Sequence, residues 1–84
     1  MIEDRTITGP CTLSRLHAGQ RGRILKINGR DPLRQRFLDM GLVKDTTVEV
    51  IDFAPLGDPM RIHVRGYHLA IRKHEADLIE VTEL

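Results

Sequence analysis

The sequence predicts a mainly β protein, a small and strongly bent antiparallel barrel with one α-helix inserted early in the chain. Two observations carry that prediction. Met60, Ile62 and Val64 alternate with Arg61, His63 and Arg65, the period of two that gives a strand one dry face and one wet, basic face. Around this segment stand four further short apolar or β-branched runs set off by turn-forming residues, whereas helical periodicity longer than a single turn is found at residues 31–40 alone. Strands this short leave exposed edges unless the sheet bends round on itself, so closure is the expected solution.

Taken in order, residues 1–11 end in Gly9-Pro10-Cys11 and lack periodicity; they are expected to be a flexible lead-in, with the folded domain over residues 12–84. Leu13 and Leu16 suit one helical turn tucked against the core, and residues 23–28 suit a first strand closed by Gly29. Asp31-Pro32-Leu33 opens the helix, because aspartate can cap the free amides of a first turn and proline at the first helical position has no amide to satisfy. Leu33, Phe37 and Met40 share its apolar face, while Arg34, Gln35 and Asp39 point away. Gly41 ends it, since glycine takes the left-handed conformation at little cost.

A turn at Lys44-Asp45 leads into a strand over residues 47–53. Residues 54–59, Ala-Pro-Leu-Gly-Asp-Pro, cannot be helix and would serve a central strand poorly, so they are predicted to form a shaped loop between two strands. Leu56 stands between Pro55 and Pro59 in that loop, and a restrained backbone loses little entropy on docking to a partner. After the strand over 60–65, Gly66-Tyr67 reads as a tight turn and residues 68–72 as a strand with Leu69 and Ile71 inward. Residues 73–77 read as a turn or single helical turn, and residues 78–82 as the closing strand.

Composition narrows the function. A chain of 84 residues builds one modest core with little left over for a deep catalytic cleft. No apolar stretch approaches the roughly 20 residues needed to span a bilayer, so membrane insertion is not expected. The acidic start Met1-Ile2-Glu3-Asp4-Arg5 is not followed by an apolar signal core, and the single cysteine, Cys11, cannot form an internal disulfide; a cytoplasmic location is expected. A formal net charge of +1 argues against a nucleic-acid binder, whose affinity comes from a concentrated basic surface. Locally, Arg61, Arg65, Arg72 and Lys73 allow one basic face.

Catalytic and cofactor chemistry find little support. Cys11 has no histidine before His17, and nucleophilic catalysis needs an activating base beside the nucleophile. The strand-to-helix passage Asn28-Gly29-Arg30-Asp31-Pro32 holds one glycine and an aspartate that repels phosphate, so no nucleotide site is expected. His63, His68 and His74 are weak candidates for a transition metal, and a metal-carrier role through them is the alternative function; no cysteine pair or His-x₃-His motif accompanies them. No cofactor is expected. Aromatic content of 4% removes the platform on which proline-rich peptides dock, so a partner surface would be aliphatic and basic, drawn from Leu56, Val43, Tyr67 and the nearby arginines.

Four motifs in one order carry a resemblance to a known family. They are Leu13-x-x-Leu16-x-x-Gly19-x-x-Gly22-x-Ile24, then Leu33-Arg34-x-Arg36-Phe37-x-x-Met40-Gly41-Leu42, then residues 54–59, and finally Arg65-Gly66-Tyr67-x-Leu69-x-Ile71-Arg72-x-x-Glu75-Ala76. Together they resemble the FeoA family, the small cytoplasmic component of bacterial ferrous-iron uptake. The resemblance implies an SH3-like β-barrel with an inserted helix, no catalytic activity, and a partner in the cytoplasmic region of FeoB, a membrane transporter with a GTP-binding domain. The family signature falls on Met40, Gly41, Leu42 and residues 54–59.

The partner-binding residues expected on these grounds are Leu56, Gly57, Asp58, Arg61, Arg65, Tyr67, Met40 and Leu42. Weak homo-oligomerisation is compatible with the chain. Lys44-Asp45 replaces the Pro-Gly common at that turn in the family, which questions how tightly it closes. The same barrel is implied for the C-terminal domain of iron-dependent repressors related to the diphtheria toxin repressor. Their winged helix and dimerisation domain would not fit before Thr12, so a free-standing transport accessory is the expectation.

Overall fold

The alternation at residues 60–64 becomes a strand of a curved sheet, with a neighbour on either side. In a computed structural model, which describes residues 10–84, Met60, Ile62 and Val64 are buried while Arg61 is exposed and His63 half-buried. Among the described residues six antiparallel strands stand in the order β1-β6-β2-β3-β4-β5: β1 Pro10–Thr12, β2 Arg21–Ile27, β3 Thr47–Phe53, β4 Met60–Val64, β5 Tyr67–Ile71 and β6 Ile79–Glu83. Helix α1, Asp31–Asp39, is inserted between β2 and β3, and the single turn α2, Lys73–Ala76, joins β5 to β6. The mainly β class with one inserted helix is therefore as predicted, with the closing turn at residues 73–77 helical.

Irregularities in the ladders bend the sheet. The register shifts between Ile24 and Lys26 on β2 and between Val50 and Asp52 on β3. An extra residue on one strand kinks it and raises its twist, which lets all the strands share one core. That core holds Ile24, Val48, Val50, Ile62, Ile71, Ile79 and Val81 from the strands, closed by Leu13, Leu16, Phe37 and Leu42 from the connections. Leu13 lies in a 3-10 turn, Leu13–Arg15, at the position expected for one helical turn.

Several sequence expectations are corrected in detail. Of the lead-in predicted over residues 1–11, residues 1–9 lie outside the described residues, and Pro10 and Cys11 are strand, paired with Thr82 and Val81 of β6. The first strand starts at Arg21 rather than residue 23, because Gly22 pairs with both Val48 and Glu83 and so belongs to two ladders. Asp31 does not cap α1: the carbonyl of Arg30 accepts the first helical hydrogen bond, from Arg34 N–H at 2.9 Å, which makes Arg30 the cap and puts Asp31 inside the first turn. Tyr67 is not a turn residue. The two-residue turn is Arg65-Gly66, with φ of 50° and 86°, and Tyr67 already pairs with Val64. Two positive φ values in succession describe the hairpin turn whose twist matches the strands it joins.

The C-terminus of α1 is closed as Gly41 predicts. With Gly41 at φ 89°, its N–H donates to the Leu38 carbonyl at 3.0 Å and the Leu42 N–H to the Phe37 carbonyl at 3.0 Å. These are the two bonds of a Schellman motif, which turns the chain back under the helix and brings the next apolar residue against it. Leu42 is fully buried as a result.

The departure at Lys44-Asp45 is absorbed locally. Asp45 takes the left-handed conformation itself, at φ 71°, while its N–H donates to the Ile24 carbonyl at 2.7 Å and Thr46 N–H donates to the Val43 carbonyl at 3.1 Å. Asparagine and aspartate are the non-glycine residues that tolerate this region best. The turn is tight without glycine.

Candidate docking surface

The loop over residues 54–59 is held by its own backbone. Ala54 N–H donates to the Pro59 carbonyl at 2.9 Å and Gly57 N–H to the Ala54 carbonyl at 2.7 Å, so a turn is nested inside a closed loop. Pro55 and Leu56 occupy its tip, where Leu56 is 96% exposed. That value separates the two roles open to an aliphatic side chain here: Leu56 contributes nothing to this chain's core and projects into solvent. Scattered exposed leucines are ordinary, but one raised on a backbone-closed loop beside other apolar groups forms a patch. Phe53, Ala54, Pro55, Pro59 and Ala70 supply those groups, lining a groove of about 390 Å³ at the loop's base.

Asp58 and Arg61 anchor that end. Asp58 Oδ1 accepts the Lys73 N–H at 3.0 Å, which ties the loop to the first turn of α2 and satisfies an amide that the helix leaves free. Arg61 grips Asp52 with both arms of its guanidinium, Nε to Oδ1 at 2.8 Å and Nη2 to Oδ2 at 2.6 Å. Hydrogen bonding from Arg61, ahead of its charge, holds the Asp52 carboxyl below its ordinary range and raises Arg61 in turn. The basic face is thus less positive at Arg61 than the sequence suggests.

Met40, Leu42, Arg65 and Tyr67, expected to belong to the same surface, lie elsewhere. Arg61 and Arg65 are four residues apart along extended chain, about 13 Å by strand geometry, and the Arg65-Gly66 turn packs on the end of α1. Tyr67 Oη donates to the Met40 carbonyl, and a Cβ placed on Gly41 would come within 3.2 Å of Arg65 Cδ and 3.3 Å of Tyr67 Oη. Arg65 Nη2 also donates to Thr46 Oγ1 at 3.3 Å. Met40 is half-buried against the core. Leu42, at 0% exposure, is not available to a partner in this fold, because the Schellman turn folds it inward. The expected surface therefore divides: Leu56, Gly57, Asp58 and Arg61 stand at the loop end, while Tyr67, Arg65 and Met40 form an internal clasp between hairpin and helix.

The histidines divide in the same way. His63 and His68 pair directly across β4 and β5 with ring centroids 5.3 Å apart in an edge-to-face arrangement. His74 lies on α2. Among the described residues no group of three or more His, Cys, Asp or Glu side chains is arranged to hold a metal ion. Burial raises the Cys11 thiol above its ordinary value, with Glu83 adding to the effect, which disfavours the nucleophilic thiolate. No helix among the described residues is long and apolar enough to cross a membrane.

One contact between residues far apart in the sequence was beyond the reach of sequence patterns. Glu75 is buried, its Oε2 receiving Arg36 Nη2 at 2.9 Å and its Oε1 the Arg72 N–H at 3.0 Å. It joins α1 to α2, and nothing in the local pattern around Glu75 marks a buried carboxylate.

Comparison with known proteins agrees with this geometry. The FeoA domain model matches residues 11–83. A fusion protein of Porphyromonas gingivalis strain W83, named Fe(2+) transport protein A/Fe(2+) transporter FeoB, is 39% identical over 69 residues, covering 82% of this chain and 8% of its own length. The solution structure of a FeoA-like protein from Clostridium acetobutylicum superposes with a TM-score of 0.85 at 32% identity, covering 93% of this chain and 91% of that one. The FeoA of Stenotrophomonas maltophilia, described as a prokaryotic SH3 domain protein complexed with zinc, shares the fold with a TM-score of 0.76 at 24% identity, covering 87% of this chain and 94% of that one. With its SH3-like sheet, its inserted helix and a family match over nearly the whole chain, the protein belongs to the FeoA family.

Proposed function

We propose that this chain is a non-catalytic accessory protein of ferrous-iron uptake that docks on the cytoplasmic region of a FeoB-type transporter through the loop at residues 54–59. The family association with ferrous-iron transport is the starting point. The observation that carries the reading further is the P. gingivalis relative, in which a segment 39% identical to this chain is joined to a FeoB transporter in one polypeptide. Fusion of two modules raises their effective concentration for each other and makes sense where they act together. A cytoplasmic location follows from this role.

Leu56 is the anchor in this reading. It is the most exposed large hydrophobic residue described, its loop is closed by two backbone hydrogen bonds, and docking a preformed loop loses little conformational freedom. Lys73, whose amide is tied to the loop through Asp58, and Arg72 beside it steer the encounter. Binding of the wild-type chain and Leu56→Ala to the purified cytoplasmic region of the transporter tests the reading, with thermal unfolding measured on both. A single apolar anchor is worth about 2 kcal/mol, so affinity should fall more than roughly tenfold at an unchanged thermal midpoint. Unchanged affinity would remove the loop from the interface, and no binding by the wild-type chain would overturn the partnership.

A further inference from the structure

We infer that the free edge of β5 is a second docking site, one that takes an extended, acidic peptide segment of a partner protein by strand addition. The inference does not rest on the transporter reading, because it follows from the edge and its charges alone.

Among the described residues strand β5 ends the sheet order, with β4 as its only ladder neighbour. Val64 and Tyr67 flank a two-residue turn, and the pair flanking such a turn exchanges both hydrogen bonds; alternation then bonds Leu69 to Ile62 and Ile71 to Met60. The N–H and C=O groups of His68 and Ala70 accordingly point to the open side. Neither residue makes any other backbone hydrogen bond among the described residues.

Natural sheets guard such edges with lysine, proline, bulges or inward charges. Residues 67–71, Tyr-His-Leu-Ala-Ile, carry none of these, and their ladder to β4 runs without a register shift. The guard lies instead at the two ends: Arg72 and Lys73, exposed after the strand, and before it Arg65, exposed in the turn although its guanidinium also reaches Thr46 Oγ1. Of the carboxylates nearby, Asp52 is paired with Arg61 and Glu75 with Arg36, which leaves Asp58, an acceptor of the neutral Lys73 amide, as one negative charge against Arg65, Arg72 and Lys73.

These charges choose the occupant. Two copies pairing edge to edge in the register that joins most free groups centre on Leu69, which sets Arg65 of one copy opposite Lys73 of the other and brings Arg72 against the turn. Like charges directly across strands oppose that pairing. An incoming strand bearing glutamate or aspartate at its ends meets the same positions favourably, bonds to His68 and Ala70, and lays alternate side chains beside Ala70 and the groove at Phe53 and Pro55.

The test uses the full chain, a short capped peptide alternating valine and glutamate, and its valine and lysine counterpart, read by amide NMR and hydrogen exchange. In the free chain the His68 and Ala70 amides should exchange quickly. The glutamate peptide should slow their exchange and bind roughly tenfold or more tightly than the lysine peptide, with the difference shrinking in salt. Ala70→Pro removes the outward donor without touching the β4 ladder and should abolish binding at a retained thermal midpoint. Should that variant fail to fold, Arg72→Glu with Lys73→Glu should weaken the glutamate peptide by a comparable factor. Amides already protected in the free chain, equal binding of both peptides, or dimerisation of the chain through β5 would each overturn the proposal.

Discussion

The hydroxyl of Tyr67 donates to the backbone carbonyl of Met40, so the β4–β5 hairpin holds the C-terminal end of α1. A helix leaves its last carbonyls without partners, and here a tyrosine from 27 residues further along supplies one. Tyr67→Phe should cost about 1 kcal/mol, the usual net worth of one hydrogen bond. Gly41→Ala should cost more, because a Cβ there adds a left-handed strain of about 1–2 kcal/mol to close approaches to Arg65 and Tyr67. Chemical denaturation of both variants checks the order; equal and negligible losses would show the clasp to be ornamental to stability.

Asp31→Ala should have a small effect. Asp31 lies inside the first turn of α1, where a carboxylate gains only the helix-dipole contribution of about 0.3–1 kcal/mol. Phe37→Ala, by contrast, empties a fully buried site and should cost about 3–5 kcal/mol. Thermal and urea unfolding on the pair distinguish helix entry from helix packing.

Replacing Asp45 by glycine should stabilise the protein. Its φ of 71° is a conformation glycine takes freely, so relief of strain at the turn should outweigh the extra freedom of the unfolded chain by up to about 1 kcal/mol. A lower denaturation midpoint for Asp45→Gly would mean the aspartate side chain itself supports the turn.

The Arg61–Asp52 pair predicts a pH dependence of definite sign. Hydrogen bonding holds Asp52 below its ordinary 3.8 in the folded state. Its contribution to stability is therefore fully present above 3.8 and fades as pH falls through the lower folded value. Carboxyl NMR should show a midpoint for Asp52 below 3.8 that returns toward it in Arg61→Ala. Both groups are exposed, so the overall stability should move little with the pair and less in high salt.

Chelation of divalent ions should leave the thermal midpoint unchanged. The core is made of aliphatic and aromatic side chains from every strand from β2 to β6 and from α1, and no metal ligand is needed to close it. A chelator that lowered the midpoint would show that a bound metal supports the fold, with the His63–His68 pair the first ligands to replace.

What the sequence determined by itself was whatever depends on near neighbours along the chain. Alternation marked Met60, Ile62 and Val64 as inward, spacing marked the Phe37 face, and Gly41 marked the helix end, because strand pleat, helical period and left-handed backbone are properties of a few consecutive residues. Proline and glycine likewise marked residues 54–59 as a closed loop. The exposure of Leu56, the burial of Leu42 and the different partners of Arg61 and Arg65, Asp52 for one and Thr46 for the other, belong to the tertiary structure. Residues that look equivalent in a motif reach opposite fates once the Schellman turn folds one inward and a nested turn lifts the other outward. The same holds for Tyr67 on Met40, Asp58 on α2 and Glu75 between the helices. Each satisfies a polar group far away in sequence, and which group is left needing a partner is decided only when the sheet has curved and the ends of its connections have met.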